Sequence, residues 1–307
     1  MKKIILACLV AFVGANLSAE PKWYSKAYNK TNTQKGYLYG SGSATSKEAS
    51  KQKALADLVA SISVVVNSQI HIQKSRVDNK LKSSDSQTIN LKTDDLELNN
   101  VEIVNQEAQK GIYYTRVRIN QNLFLQGLRD KYNALYGQFS TLMPKVCKGV
   151  FLQQSKSMGD LLAKAMPIER ILKAYSVPVS SLENYEKIYY QNAFKPKVRI
   201  AFDDNSDTES DTEIKNALMS AYARVLTPSD EEKLYQIKNE VFTDSANGIT
   251  RIRVVVSASD CQGTPVLNRS LEVDEKNKNF AITRLQSLLY KELKDYANKE
   301  GQGNTGL

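Results

Sequence analysis

A zinc site or a histidine-driven hydrolase has almost nothing to build on in this chain, which carries one histidine, three cysteines and one tryptophan in 307 residues. One of the three cysteines, Cys8, falls in the first nineteen residues, which leaves Cys147 and Cys261 beyond them. A tetrahedral metal site needs several His or Cys ligands, and cysteine-protease chemistry needs cysteine, histidine and an orienting group together. His71 stands on the polar side of its segment, as a surface imidazole does. The nucleophile elbow G-x-S-x-G is absent. No cofactor, metal or catalytic residue is expected.

Long apolar runs are also lacking. The longest, Ile4 to Gly14, is about half of the roughly 20 residues that a membrane-spanning helix needs. It follows Met1-Lys2-Lys3 and precedes the small-residue exit Ala15-Asn16-Leu17-Ser18-Ala19, so it reads as a cleaved signal peptide with the mature chain starting at Glu20. Lipidation at Cys8 is the alternative, but only four residues separate Lys3 from Cys8, too short an apolar run to engage export. The expected location is secreted or periplasmic, and the mature chain is not expected to span a membrane.

What is present has two-part charge. Residues 20–195 hold 25 Lys and Arg against 15 Asp and Glu, and residues 196–307 hold 15 against 18. The basic part suits an anionic surface such as acidic lipid head groups or polyanionic envelope polymers. A solvated, solubilising surface explains the same balance, and no specific nucleic-acid partner is expected.

The periodicities predict an α+β protein with two β-α-β-β-β-α domains flanking a small helical module. After the signal peptide (1–19) come an N-terminal α+β domain (20–140), a helical middle domain (141–195) and a C-terminal α+β domain (196–307). In the first domain the segment 36–45 reads as a strand running into a helix, with Thr45 and Glu48 at capping-box spacing. Around Ile62 the period changes to two, with Ile62, Val64, Val66, Ile70 and Ile72 on one face, which predicts a strand. A long polar connection is expected over 75–95. Strands follow at 101–107 and 112–119, turning at Gln109-Lys110-Gly111, then a helix over 122–139. In the middle, helices are expected over 161–175 and 182–193, the second capped by Ser180 with Glu183. The last domain reads as a strand at 198–202, a helix at 211–226, strands at 235–243, 249–260 and 266–274 with Asn247-Gly248 as a hairpin turn, and a helix at 280–298.

Several features invite a functional reading. Gly40-Ser41-Gly42-Ser43 between strand and helix resembles a phosphate-binding loop, but Thr45 stands where the dinucleotide fingerprint has its third glycine; close strand–helix packing explains the glycines better. The acidic run Asp203 to Glu209 starts like a calcium loop yet has no sixth-position glycine, and Ile214 occupies the twelfth. Tyr114, Arg116 and Arg118 share the polar face of one strand. Tyr185, Tyr189 and Tyr190, with Tyr175, cluster on the middle helices. These two groups are the candidate interaction surfaces, and for the tyrosines a plain role bridging core and solvent stands level with that reading. Cys147 and Cys261 are expected to bridge, as an even pair in an exported protein commonly does; two separate buried thiols are the alternative.

Pro21-Lys22-Trp23-Tyr24, the strand Gly36 to Ala44, and Ala54-Leu55-Ala56-Asp57-Leu58-Val59 leading into Ile62-x-Val64-x-Val66 resemble the Helicobacter twenty-kilodalton membrane-associated lipoprotein family over about residues 20–125. The resemblance implies a compact α+β domain of envelope or secreted proteins, with relatives in flagellar outer-membrane structures and among secreted host-facing proteins. The whole chain looks like a three-domain secreted Helicobacter protein. No lipid anchor is carried over, since Cys8 departs from the lipoprotein pattern, and the family offers no catalytic residues. A non-enzymatic binding protein with a protein partner in the bacterial envelope or host is therefore expected. A flagellar or outer-membrane accessory component is the alternative, and an envelope hydrolase the more distant one.

Overall fold

The computed structural model of the chain describes residues 20–24, 34–77, 98–143, 146–203 and 209–298. The expected signal peptide, most of the 75–95 connection and most of the acidic run after Asp203 lie outside them. The protein is α+β, and contacts divide it into two compact units: the chain up to Lys131 with Pro167–Val179, and Tyr132–Met166 with Ser180 onward.

The first unit is built on strand β1 (Tyr37–Ala44), helix α1 (Lys47–Val77), strands β2 (Glu102–Gln109) and β3 (Ile112–Asn120) and the start of helix α2 (Gln121–Leu142). Its antiparallel sheet has the order β1-β3-β2, and Lys110 and Gly111 make the β2–β3 turn at φ 48° and 79°. Gly40 and Gly42 face α1 so closely that a β-carbon on Gly40 would lie 2.2 Å from the Ala54 carbonyl oxygen, and one on Gly42 would lie 2.3 Å from the Ala54 nitrogen. Helix backbone thus rests directly on strand backbone, which only glycine permits. These glycines are packing residues.

The strand expected from Ile62 onward does not form, because α1 runs on through Val77. Ala54, Leu58, Ile62 and Val66, four residues apart, are buried, whereas Val64, which the strand reading places inside, is 66% exposed. Burial of the four-residue stripe outweighs the β-propensity of the Val-rich run. Ser61 and Ser63 satisfy their hydroxyls by donating to the carbonyls of Leu58 and Val59. The unit therefore reads β-α-β-β-α, and His71 lies in the helix. Its N-terminal cap is Ser46, whose Oγ accepts the Ala49 amide at 3.2 Å, one residue after the Thr45 expected.

In the second unit the order is helix α3 (Leu152–Ala174, of which Leu152–Met166 belong here), α4 (Glu183–Ile188) running into a π-helical turn (Tyr189–Ala193), β4 (Lys197–Phe202), α5 (Glu209–Tyr222), a two-residue β5 (Thr227–Pro228), β6 (Tyr235–Ala246), β7 (Ile249–Ser259), β8 (Pro265–Glu275) and α6 (Lys278–Asn298). The Ser180–Glu183 capping box is not made; the Ser181 hydroxyl accepts the Glu183 amide instead. The five-stranded sheet has the order β5-β4-β6-β7-β8, with β4 parallel to both neighbours and β6, β7 and β8 antiparallel. Alternate residues of β7, Ile252, Val254, Val256 and Ala258, face the core against Ile214 and Leu218 of α5 and Leu285 and Leu289 of α6. Asn247 and Gly248 turn the β6–β7 hairpin at φ 54° and 74°. Inside this core the Tyr222 hydroxyl donates to Asn239 Oδ1 at 2.6 Å, and Asn239 Nδ2 donates to the Ala201 carbonyl. Burial pushes the Tyr222 phenol well above its ordinary range.

Candidate functional site: an aromatic and cationic groove

The expected surface on β3 is occupied from within its own unit. Tyr114 is buried under Tyr24, whose ring meets it edge-on at 4.9 Å, and Arg116 is 2% exposed with its guanidinium 4.4 Å over the Tyr39 ring. Arg118 lies 4.5 Å over Tyr37 and pairs with Glu102 at 2.8 Å. The turn Lys22–Tyr24 straps this face, Trp23 Nε1 donating to Glu107 at 3.2 Å and the Tyr24 hydroxyl to Ser43 Oγ at 3.2 Å. The residues share a face, as their alternation predicts, but that face is an internal ladder of arginine on tyrosine rather than an open contact surface. β7 repeats the arrangement, with Arg253 4.6 Å over Phe242.

The tyrosines separate. Tyr175 belongs to the first unit. Tyr185 turns inward and stacks on Phe139 of α2 at 4.7 Å, with Tyr136 edge-on at 5.6 Å. Tyr189 and Tyr190 stand on the π-helical turn with Phe194 just beyond it: Tyr189 meets Tyr190 at 5.3 Å and Phe194 at 6.1 Å. Tyr190 and Phe194 are 63% and 64% exposed. A π-helical turn carries one residue more than α-helical spacing and commonly marks a functional position.

Tyr189 and Phe194 form one wall of a groove of about 420 Å³, and Tyr190 stands outside that lining, against the Tyr189 ring. Its floor is apolar, from Leu152, Pro196, Val225 and Ala297, and its rim carries Lys156, Lys195 and Arg224 with Asp160 as the single acid. Each cation is held. Lys156 pairs with Asp160 at 2.5 Å, Lys195 Nζ donates to the Ala223 carbonyl at 3.1 Å near the end of α5, and the Arg224 guanidinium lies 4.8 Å over the Tyr290 ring. Partial burial pushes the Tyr189 phenol above its ordinary range, with Tyr190 and Asp160 adding to the shift and Lys156 opposing it, so it stays a neutral hydroxyl. Sequence reasoning singled out Tyr189 and Tyr190 and missed Phe194, Lys156, Lys195 and Arg224. The run from Tyr189 to Lys195 carries a local signal, but Lys156 comes from α3 and Arg224 from the turn after α5.

A second hollow, about 350 Å³, lies beside the disulfide that joins Cys147 to Cys261 with their Cα atoms 5.5 Å apart. Asp260 shapes the β7–β8 turn by accepting the Gln262 and Thr264 amides, each at 2.8 Å, and the Cys261 amide donates to Cys147 Sγ at 3.1 Å. Both cysteines belong to the second unit. Lys197 and Glu231 pair at 2.5 Å on the hollow's wall, and the Lys197 ammonium holds the Glu231 carboxyl below its ordinary range. Among the described residues no group of three His, Cys, Asp or Glu side chains is placed to hold a metal ion, and no helix is long and apolar enough to cross a membrane.

The fold is that of an α+β protein whose second unit carries an aromatic and cationic groove. Residues 21–120 match the LPP20 lipoprotein family, residues 122–188 the middle domain of LPP20 lipofamily proteins, and residues 195–291 their C-terminal domain. The chain is 83% identical to the secreted protein HP1454 from the human pathogen Helicobacter pylori, whose crystal structure it matches over 84% of this chain and 100% of that one with a TM-score of 0.50. The chain belongs to the LPP20 lipoprotein family. The family is one of lipoproteins and the relative is a secreted protein, and the chain's own location is secreted or periplasmic. A PelC dodecamer from Paraburkholderia phytofirmans, 13% identical over 36% of this chain and 92% of that one, has a TM-score of 0.26, too low to carry an argument. No curated protein matches the chain.

Proposed function

We propose that this protein is a non-enzymatic binding protein of the bacterial envelope, secreted or periplasmic, and that it engages a protein partner through the groove beside Tyr189. The observation that carries the reading is the pair of large rings left in water, Tyr190 and Phe194, next to a hollow whose cations are already fixed in place. Exposed aromatic side chains at the edge of a formed pocket are what interface hot spots are made of. The test is affinity capture by the mature chain, residues 20–307, from bacterial envelope and from host-cell extract, alongside a Tyr190→Ser, Phe194→Ser double variant. A partner retained by the parent and lost by a folded double variant supports the reading. Equal capture by both removes the groove from it. Capture from envelope fractions alone makes the protein an outer-membrane or flagellar accessory; capture from host extract makes it host-facing.

A further inference from the structure

We infer that the groove takes an acidic peptide segment: one bulky apolar side chain flanked by Asp or Glu, presented by a partner protein. This rests on the groove being the binding site. Three cations stand around the hollow against one acid, and the acid is already matched to Lys156. Lys195 uses one of its three N–H donors on the Ala223 carbonyl and keeps two. Stacking on Tyr290 leaves the exposed edge of the Arg224 guanidinium available for a carboxylate. Because intramolecular contacts already hold all three side chains, a ligand meets them without ordering them first. The floor is apolar and would be left wet by a purely ionic ligand, so the anionic segment must carry an apolar residue to fill it. Charge complementarity selects a peptide over a membrane for a further reason. The site is concave, whereas an anionic bilayer is met by a flat or convex basic face, and Asp160 in the rim would face lipid phosphates with like charge.

The probe is a fluorescein-labelled peptide with three glutamates on each side of a central leucine, titrated against the mature chain by fluorescence polarisation. Two control peptides replace the glutamates by lysine or the leucine by serine. Saturable binding of the acidic leucine peptide, weakened by salt and weaker for both controls, is expected. Lys195→Gln, which keeps a donor to Ala223 and removes the charge, and Arg224→Glu should each lower its affinity by roughly tenfold, with circular dichroism unchanged. Binding that survives both substitutions overturns the inference, as does absence of peptide binding by the folded parent. Binding to phosphatidylglycerol vesicles in place of the peptide also overturns it. If peptide binding fails while the Tyr190→Ser, Phe194→Ser variant still loses a captured protein, the acidic-peptide inference falls and the binding reading stands.

Discussion

Tyr189 lies where a side chain on Gly159 would be: a β-carbon built there comes 2.7 Å from the Tyr189 hydroxyl and 3.0 Å from the ring carbon that bears it. Gly159 sits inside α3 with an ordinary helical backbone, so the glycine is there for space. A glycine in a helix costs about 1 kcal/mol against alanine, and here that cost seats one wall of the groove. Gly159→Ala should therefore displace the Tyr189 ring while leaving thermal stability equal or up to about 1 kcal/mol higher. Partner binding should fall at undiminished stability. A variant that is less stable and binds normally would show that the contact is structural only.

The disulfide predicts a chemical count. Denatured but unreduced mature protein should show no thiol that reacts with a maleimide or with Ellman's reagent, and should run as a monomer. A Cys147→Ser, Cys261→Ser variant releases a loop spanning a separation of 114 residues and should lose about 4 kcal/mol on the chain-entropy account, read from denaturant midpoints. Two reactive thiols per mature chain would refute the bond.

Gly40→Ala and Gly42→Ala should each be severe. The added methyl meets helix backbone at 2.2–2.3 Å, and backbone of a packed helix has nowhere to move, so a loss of about 3 kcal/mol or more is expected in denaturation experiments. A loss below 1 kcal/mol in either variant would mean that β1 and α1 do not meet as described.

Trp23 is the chain's one tryptophan, so its emission reports the strap over the first sheet. The Gln109 amide, and after it the Trp23 indole, hold the Glu107 carboxyl below its ordinary value of 4.5. A depressed folded value places this contribution above the ordinary carboxylate range, to be lost as pH falls through the lower folded value. Emission should thus stay constant from pH 8 to about pH 5 and change only below that. Glu107→Gln should keep the neutral-pH spectrum and abolish this step, because an amide oxygen accepts the indole proton but does not titrate. A step centred above pH 5 would contradict the assignment.

Much of the fold is legible wherever one periodicity acts alone. β7 and β8 alternate cleanly, and Lys110-Gly111 and Asn247-Gly248 carry the residues that positive φ demands. Ile62 to Val66 satisfies periods of two and of nearly four at once, and only the presence of a sheet under Ala54 and Leu58 decides between them. The first cap slipped by a single residue, from Thr45 to Ser46, and the helix at Glu183 has Leu182 as its N-cap with no side-chain cap, the Ser181 hydroxyl accepting only the Glu183 amide. Arg116 looked exposed because it sits on the polar face of its strand, and its burial against Tyr39 depends on a cross-strand diagonal that composition does not reveal. The groove was half visible, in Tyr189 and Tyr190. Lys156 and Arg224 were not, because they arrive from a helix and a turn far apart in sequence.

Beyond Glu20 the chain has two cysteines, and two cysteines admit one intramolecular pairing. A chain from which residues 1–19 have been removed consequently has no wrong isomer to repair on oxidation, and a catalyst that only donates disulfides suffices where a four-cysteine protein would also need one that reshuffles them. The error left to that processed chain is a bond between two chains. Its frequency is set by how crowded the compartment is while the β7–β8 turn that carries Cys261 is still finding Cys147.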